Sequence, residues 1–80
     1  MSKSETYIVE VEMDEYNFFR EITQEQLDRI MATDDGEVAR EIIVDEGNDE
    51  SISNTGQVDL YFSYPEDWKE VKLDWIEYLA

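Results

Sequence analysis

The chain contains neither cysteine nor histidine. Disulfides, thiolate nucleophiles, Cys/His zinc sites and imidazole acid–base chemistry are therefore excluded. Its three glycines, Gly36, Gly47 and Gly56, stand apart from one another, so no phosphate-cradling loop is encoded. No apolar run approaches the ~20 residues that cross a bilayer. The stretch Met1-Ser2-Lys3-Ser4-Glu5 lacks the apolar segment of a signal peptide. No membrane association is expected, and the expected location is the cytoplasm. Basic residues are the last scarcity: six Lys and Arg stand against 22 Asp and Glu, a formal net charge of −16. A magnitude of about 2 to 8 suffices to keep a small domain soluble. The excess adds self-repulsion to the compact state, so something other than solubility has to account for it.

What is present is enough to fold. The chain is 41% hydrophobic with five Tyr, three Phe and two Trp. Disordered acidic chains lack such aromatic and β-branched content. Eighty residues make a single domain, near the lower limit for a self-sufficient core.

Thr6 to Glu15 carries the clearest pattern. Tyr7, Val9, Val11 and Met13 alternate with Glu10, Glu12 and Asp14, the period of a half-buried strand. Alternate carboxylates on such a strand lie roughly 6.6–6.8 Å apart, a spacing on the scale of neighbouring backbone phosphates. Asp14-Glu15 reads as a tight turn into a second strand, with Tyr16, Phe18 and Ile22 inward and Phe19 outward. Thr23 and Gln26 form a capping-box pattern, Ile22 and Leu27 a hydrophobic staple, and Leu27, Ile30 and Met31 one apolar helical face. Asp34-Asp35-Gly36 ends that helix. Residues 37–44 fit a helix or a strand, and the β-branched Ile42-Ile43-Val44 favours a strand.

Residues 45–56 have loop composition. Val58, Leu60, Phe62 and Tyr64 then alternate with Asp59, Tyr61 and Ser63 as a further strand. Ser63-Tyr64-Pro65-Glu66 resembles another capping box, and Trp68, Val71, Trp75, Tyr78 and Leu79 share one face of a closing helix, with a strand through Val71, Leu73 and Trp75 as the alternative. The order is β-β-α-β-β-α. It implies an α+β fold, a two-layer sandwich in which two helices cover one face of an antiparallel four-stranded sheet. The other face would be solvated.

No catalytic constellation emerges. Ser51 and Ser53 have no activating base nearby, and with 22 acids a close carboxylate pair carries no information. Asp45-Glu46-Gly47-Asn48-Asp49-Glu50 is oxygen-rich but places Gly47 where a calcium loop needs a ligand. No enzyme, metal site or cofactor is expected.

The charge directs the functional reading. A chain of this length packs to a radius of gyration of about 11.6 Å, a globule roughly 30 Å across. Duplex DNA of that length carries roughly 18 charges, close to this chain's own −16. The expectation is a nucleic-acid mimic that binds no nucleic acid itself. It would occupy the DNA- or RNA-binding cleft of a basic protein such as a CRISPR effector or a restriction enzyme. Small acidic mimics of this kind are a habit of bacteriophages, which would place the protein in the host bacterial cytoplasm. The expected partner-binding residues are Glu10, Glu12, Asp14, Glu15, Asp34, Asp35, Asp45, Glu46, Asp49, Glu50, Asp59 and Tyr61. Two alternatives stand beside it. One is an acidic adaptor or antitoxin-like module grouped around an apolar patch. The other is a halophilic protein, although three Ala against seven Ile is not the usage expected there. A monomer is expected, with a homodimer through an edge strand or exposed aromatics as the alternative.

Overall fold

The computed structural model describes residues 6–49 and 58–80. β1 (Thr6–Glu12) and β2 (Asn17–Thr23) form an antiparallel hairpin, closed where the Met13 amide donates to the Tyr16 carbonyl at 3.0 Å. Asp14 and Glu15 occupy the turn, as the sequence predicts. α1 (Gln24–Ala32) follows directly. Its capping box is complete: the Gln26 amide donates to Thr23 Oγ1 at 3.2 Å, and the Thr23 amide donates to Gln26 Oε1 at 2.9 Å.

Residues 36–46 overturn the expected strand. α2 (Gly36–Glu41) runs into a π-helical turn (Ile42–Glu46). The cap is Asp35, whose side chain accepts from the Glu37 amide at 2.9 Å. Helical spacing brings Ala39, Ile42 and Ile43 to one buried side and leaves Val38 41% exposed. A strand would have buried Val38 and turned Ile43 outward. Burying three apolar side chains against the core outweighs the modest strand preference of β-branched residues.

The supposed loop after residue 44 also gains structure, for its first residues lie in the π turn and Asn48–Asp49 form a short strand, β3. β4 (Leu60–Phe62) precedes a 3₁₀ turn (Pro65–Asp67) and α3 (Trp68–Leu79). The strand alternative for residues 71–75 is therefore excluded. The second expected capping box does not form: Tyr64, not Ser63, is the cap residue, and no side-chain cap bond is made there.

The sheet order is β3-β2-β1-β4. β1 pairs antiparallel with β2 but parallel with β4 (Val9 opposite Leu60, Val11 opposite Phe62). The sheet is thus mixed, not antiparallel, and three helices, not two, cover one of its faces. The alternation of apolar residues in a strand is the same in either direction, which is why the pattern could not reveal this.

The core lies between the layers. Val9, Val11 and Ile22 of the hairpin and Leu60 and Phe62 of β4 meet Leu27, Ile30, Ala39, Ile42 and Ile43. Trp68 and Trp75 seal it, each ring close to Phe62 (centroids 5.6 and 6.5 Å). Their indole N–H groups donate to the Thr33 and Tyr61 carbonyls at 3.1 and 3.0 Å, so neither buried donor is left unsatisfied. The stripe on α3 is only partly core, because Tyr78 is 58% exposed. Gly36 lets α2 approach the 3₁₀ turn: a Cβ there would lie 2.1 Å from the Pro65 carbonyl oxygen. The radius of gyration is 12.0 Å, with extents of 36 × 29 × 22 Å. Among the described residues, no helix is long and apolar enough to cross a membrane.

Candidate functional site

Strand register decides which acids share a face. Residues on one rung of neighbouring strands point the same way. The core side of β1 is Tyr7, Val9 and Val11, so Ile8, Glu10 and Glu12 point away from the helices. Their partners on β2 are Glu21, Phe19 and Asn17, and Tyr61 of β4 stands opposite Glu10. Asp59, two residues before Tyr61, joins this side. Its Oδ2 accepts from the Ile8 amide at 3.4 Å, and its own amide donates to the Ile8 carbonyl at 3.1 Å. Glu10, Glu12, Glu21 and Asp59 therefore converge on one sheet face.

Neutral donors hold the carboxylates of this region in place. Asn17 Nδ2 donates to Glu10 Oε2 at 2.8 Å, and the Tyr61 hydroxyl donates to Glu12. Asp14, in the hairpin turn, accepts from the Tyr64 hydroxyl at 3.2 Å and lines a hollow with Glu37 and Arg40 of α2. Glu15 lies exposed in the same turn. A neutral donor orients a carboxylate without cancelling its charge, whereas a cation does both. The hydrogen bond to Glu12, with burial and the neighbouring negative charges, pushes the Tyr61 phenol up to about 12. Tyr64 is raised by its bond to Asp14.

The other expected acids behave differently. Asp34 pairs with Lys72 Nζ at 2.7 Å, Glu46 accepts both Arg29 guanidinium nitrogens at 2.6 and 3.0 Å, and Asp49 pairs with Arg20 at 2.6 Å. Lys72 and Arg29 hold the Asp34 and Glu46 carboxyls below their ordinary values. Asp35 is spent on capping α2. Asp45 is exposed in the π turn, on the helical side of the molecule. Glu50 lies outside the described residues. Of the expected set, Glu10, Glu12, Asp59 and Tyr61 share the sheet face, Glu15 is exposed in the hairpin turn, and Asp14 faces the hollow beside α2. Asp34, Asp35, Asp45, Glu46 and Asp49 do not.

Glu21, Asn17 and Phe19 are the additions. Phe19 was already outward by its spacing, and that parity carries Glu21 and Asn17 with it. Ion-pair partnerships had no comparable signal, because each joins residues far apart in the chain.

The distribution of cations sharpens the contrast. Arg20 lies on the core-side rung of Val9, its guanidinium 4.8 Å from the centre of the Phe18 ring and its Nε donating to the Val44 carbonyl at 3.3 Å. Arg29, Arg40, Lys69 and Lys72 are on the helices. Every described basic residue is thus on the helical side. Acids are abundant there too, among them Glu37, Glu41, Glu70 and Glu77. What distinguishes the outer sheet face is that none of the described basic residues shares a rung with Glu10, Glu12 or Glu21. The helical layer has a different feature: Leu73 and Ile76 of α3 are 66% and 46% exposed, beside Lys69, Lys72 and Asp34 around a hollow of about 310 Å³.

No protein-family model matches this chain, and comparison with curated proteins and with solved structures gave no significant match.

Proposed function

We propose that this protein is an acidic nucleic-acid mimic, phage-encoded, that blocks the DNA- or RNA-binding cleft of a bacterial defence complex such as a CRISPR effector or a restriction enzyme. The observation that carries the reading is the outer sheet face, where Glu10, Glu12 and Glu21 share one side of the hairpin and none of their rungs holds a described basic residue. The protein would work in the host bacterial cytoplasm as a monomer. Lys and Arg side chains of the cleft would meet these carboxylates in place of phosphates. Such binding is steered over long range and weakens steeply with salt. The mechanism is occlusion, and it needs no chemistry from the acids.

The test is DNA loading by purified guide-bound CRISPR effectors and restriction enzymes, with and without the chain. Loading should be blocked at low salt and restored as salt rises. The Glu10→Lys/Glu12→Lys variant should lose the block while keeping its circular dichroism spectrum. Loading unaffected across the panel, or a variant that blocks as well as the native chain, would sink the proposal.

A second reading rests on Leu73 and Ile76. An acidic adaptor would use this exposed apolar patch on α3, with Lys69 at its edge, to hold a protein partner. A partner lost on Leu73→Glu and indifferent to competitor DNA would favour it.

A further inference from the structure

The outer sheet face is not purely acidic. Phe19, Glu10 and Tyr61 occupy one rung across three adjacent strands. Strands lie about 4.8 Å apart, which sets the two rings on either side of a carboxylate with roughly 9.6 Å between their strands. Tyr61 is held by its hydroxyl, which donates to Glu12, yet 43% of the residue remains exposed. Its ring is therefore fixed in orientation and open to a partner. The sequence Phe19–Glu10–Tyr61 alternates aromatic and anionic groups across the face.

Nucleic-acid clefts differ in whether they need aromatic groups from their ligand. A duplex offers phosphates outside and base edges in its grooves, while its ring faces are stacked out of reach. A single strand offers phosphates and free ring faces together, and the grooves that bind it combine a basic track with aromatic platforms. Carboxylates alone imitate the first kind of ligand. Carboxylates interleaved with rings imitate the second.

We infer that the cleft this face fits is one built for single-stranded nucleic acid, with the carboxylates of Glu10 and Glu12 on its basic track and the rings of Phe19 and Tyr61 on its base-stacking platforms. The inference rests on the mimic reading above and narrows it. Charge complementarity selects a basic groove, and the two rings select the single-strand kind. Aromatic groups meeting offset or edge-on across an interface add to the area they bury, so the rings give binding that salt does not screen.

The test uses the immobilised full chain to capture proteins from a bacterial lysate at low salt. Captured protein is then released with oligothymidylate or with duplex DNA at equal phosphate concentration. Capture is repeated with Phe19→Leu/Tyr61→Leu, which keeps bulk and apolarity but removes the rings, and with Glu10→Lys/Glu12→Lys. Oligothymidylate should release the protein at an about ten-fold lower concentration than duplex, and the leucine variant should capture about ten-fold less, the scale of a lost base–aromatic stack. Release by duplex equal to or better than by single strand, with the leucine variant capturing normally and the lysine variant not, overturns this inference alone. Capture of nothing, or of protein that neither nucleic acid releases, overturns the mimic reading and this one with it.

Discussion

The Tyr61 hydroxyl donates to the Glu12 carboxylate across the β1–β4 pairing, joining two side chains 49 residues apart on the outer face of the sheet. The bond favours the protonated phenol, since a phenolate would face Glu12 and the nearby Glu10.

Tyr61 should therefore titrate late in alkali. Its folded value, about 12, lies above the ordinary phenol value of 10.0. A raised value means that the stabilising contribution is full below the unfolded value and is lost as pH rises from about 10 towards 12. Phenolate absorbance of the native chain should show a step in that range that Glu12→Gln moves down. A step that stays in place would show that Glu12 does not hold the proton.

Acid should act in two opposing ways. Asp34 and Glu46 are held below their ordinary values by Lys72 and Arg29, so their contributions are present above the unfolded values and are lost as pH falls through the lower folded ones. Mild acidification, by contrast, relieves the repulsion of a chain with net charge −16. The thermal midpoint should rise from neutral into mildly acid pH, then fall. Asp34→Asn/Glu46→Gln should flatten the fall. An equally steep acid limb in that variant would remove both pairs as its cause. Added salt at neutral pH should raise the midpoint of the native chain.

Gly36→Ala should destabilise the protein even though alanine is the better helix former. The gain in helix propensity is about 1 kcal/mol. Against it, the new Cβ would fall 2.1 Å from the backbone oxygen of Pro65, and overpacking of this kind costs about 1–3 kcal/mol. Denaturant unfolding should show a net loss. A gain would mean that α2 and the 3₁₀ turn separate at little cost.

The helix at 36–41 and its π extension make opposite demands on two of their apolar residues. Ile43 is fully buried, so Ile43→Ala should cost about 2–5 kcal/mol. Val38 is 41% exposed, and Val38→Thr should stay within about 0.5 kcal/mol. The strand reading of this segment reverses that order, so equilibrium unfolding of the two variants distinguishes them.

Much of the fold could be read from local chemistry. Thr23 and Gln26 announced α1, the alternation from Tyr7 to Val11 gave the buried side of β1, and the Trp68–Trp75 spacing gave α3. Residues 36–46 resisted because β-branched side chains satisfy either period, and only contact with the core chooses between them. The parallel placement of β4 resisted because alternation has no direction. For the candidate site, parity along β1 and β4 was enough to bring Glu10, Glu12, Asp59 and Tyr61 together. It could not tell that Asp34, Glu46 and Asp49 would be neutralised by Lys72, Arg29 and Arg20, since those pairs span 38, 17 and 29 residues.

The pairing of β1 with β4 also bears on when the domain can form. The hairpin partner of β1 follows it at once, but its other neighbour is synthesised about fifty residues later, and the two tryptophans that seal β4 come later still. Contacts this distant in sequence are slow to close. On the ribosome, the hairpin, α1 and α2 can cover only part of the core, and the β4 side of β1 stays open until β4 and α3 emerge. Closure of the core is therefore late, and a pause in translation before Trp68 prolongs the interval in which the nascent chain is open to proteases and aggregation.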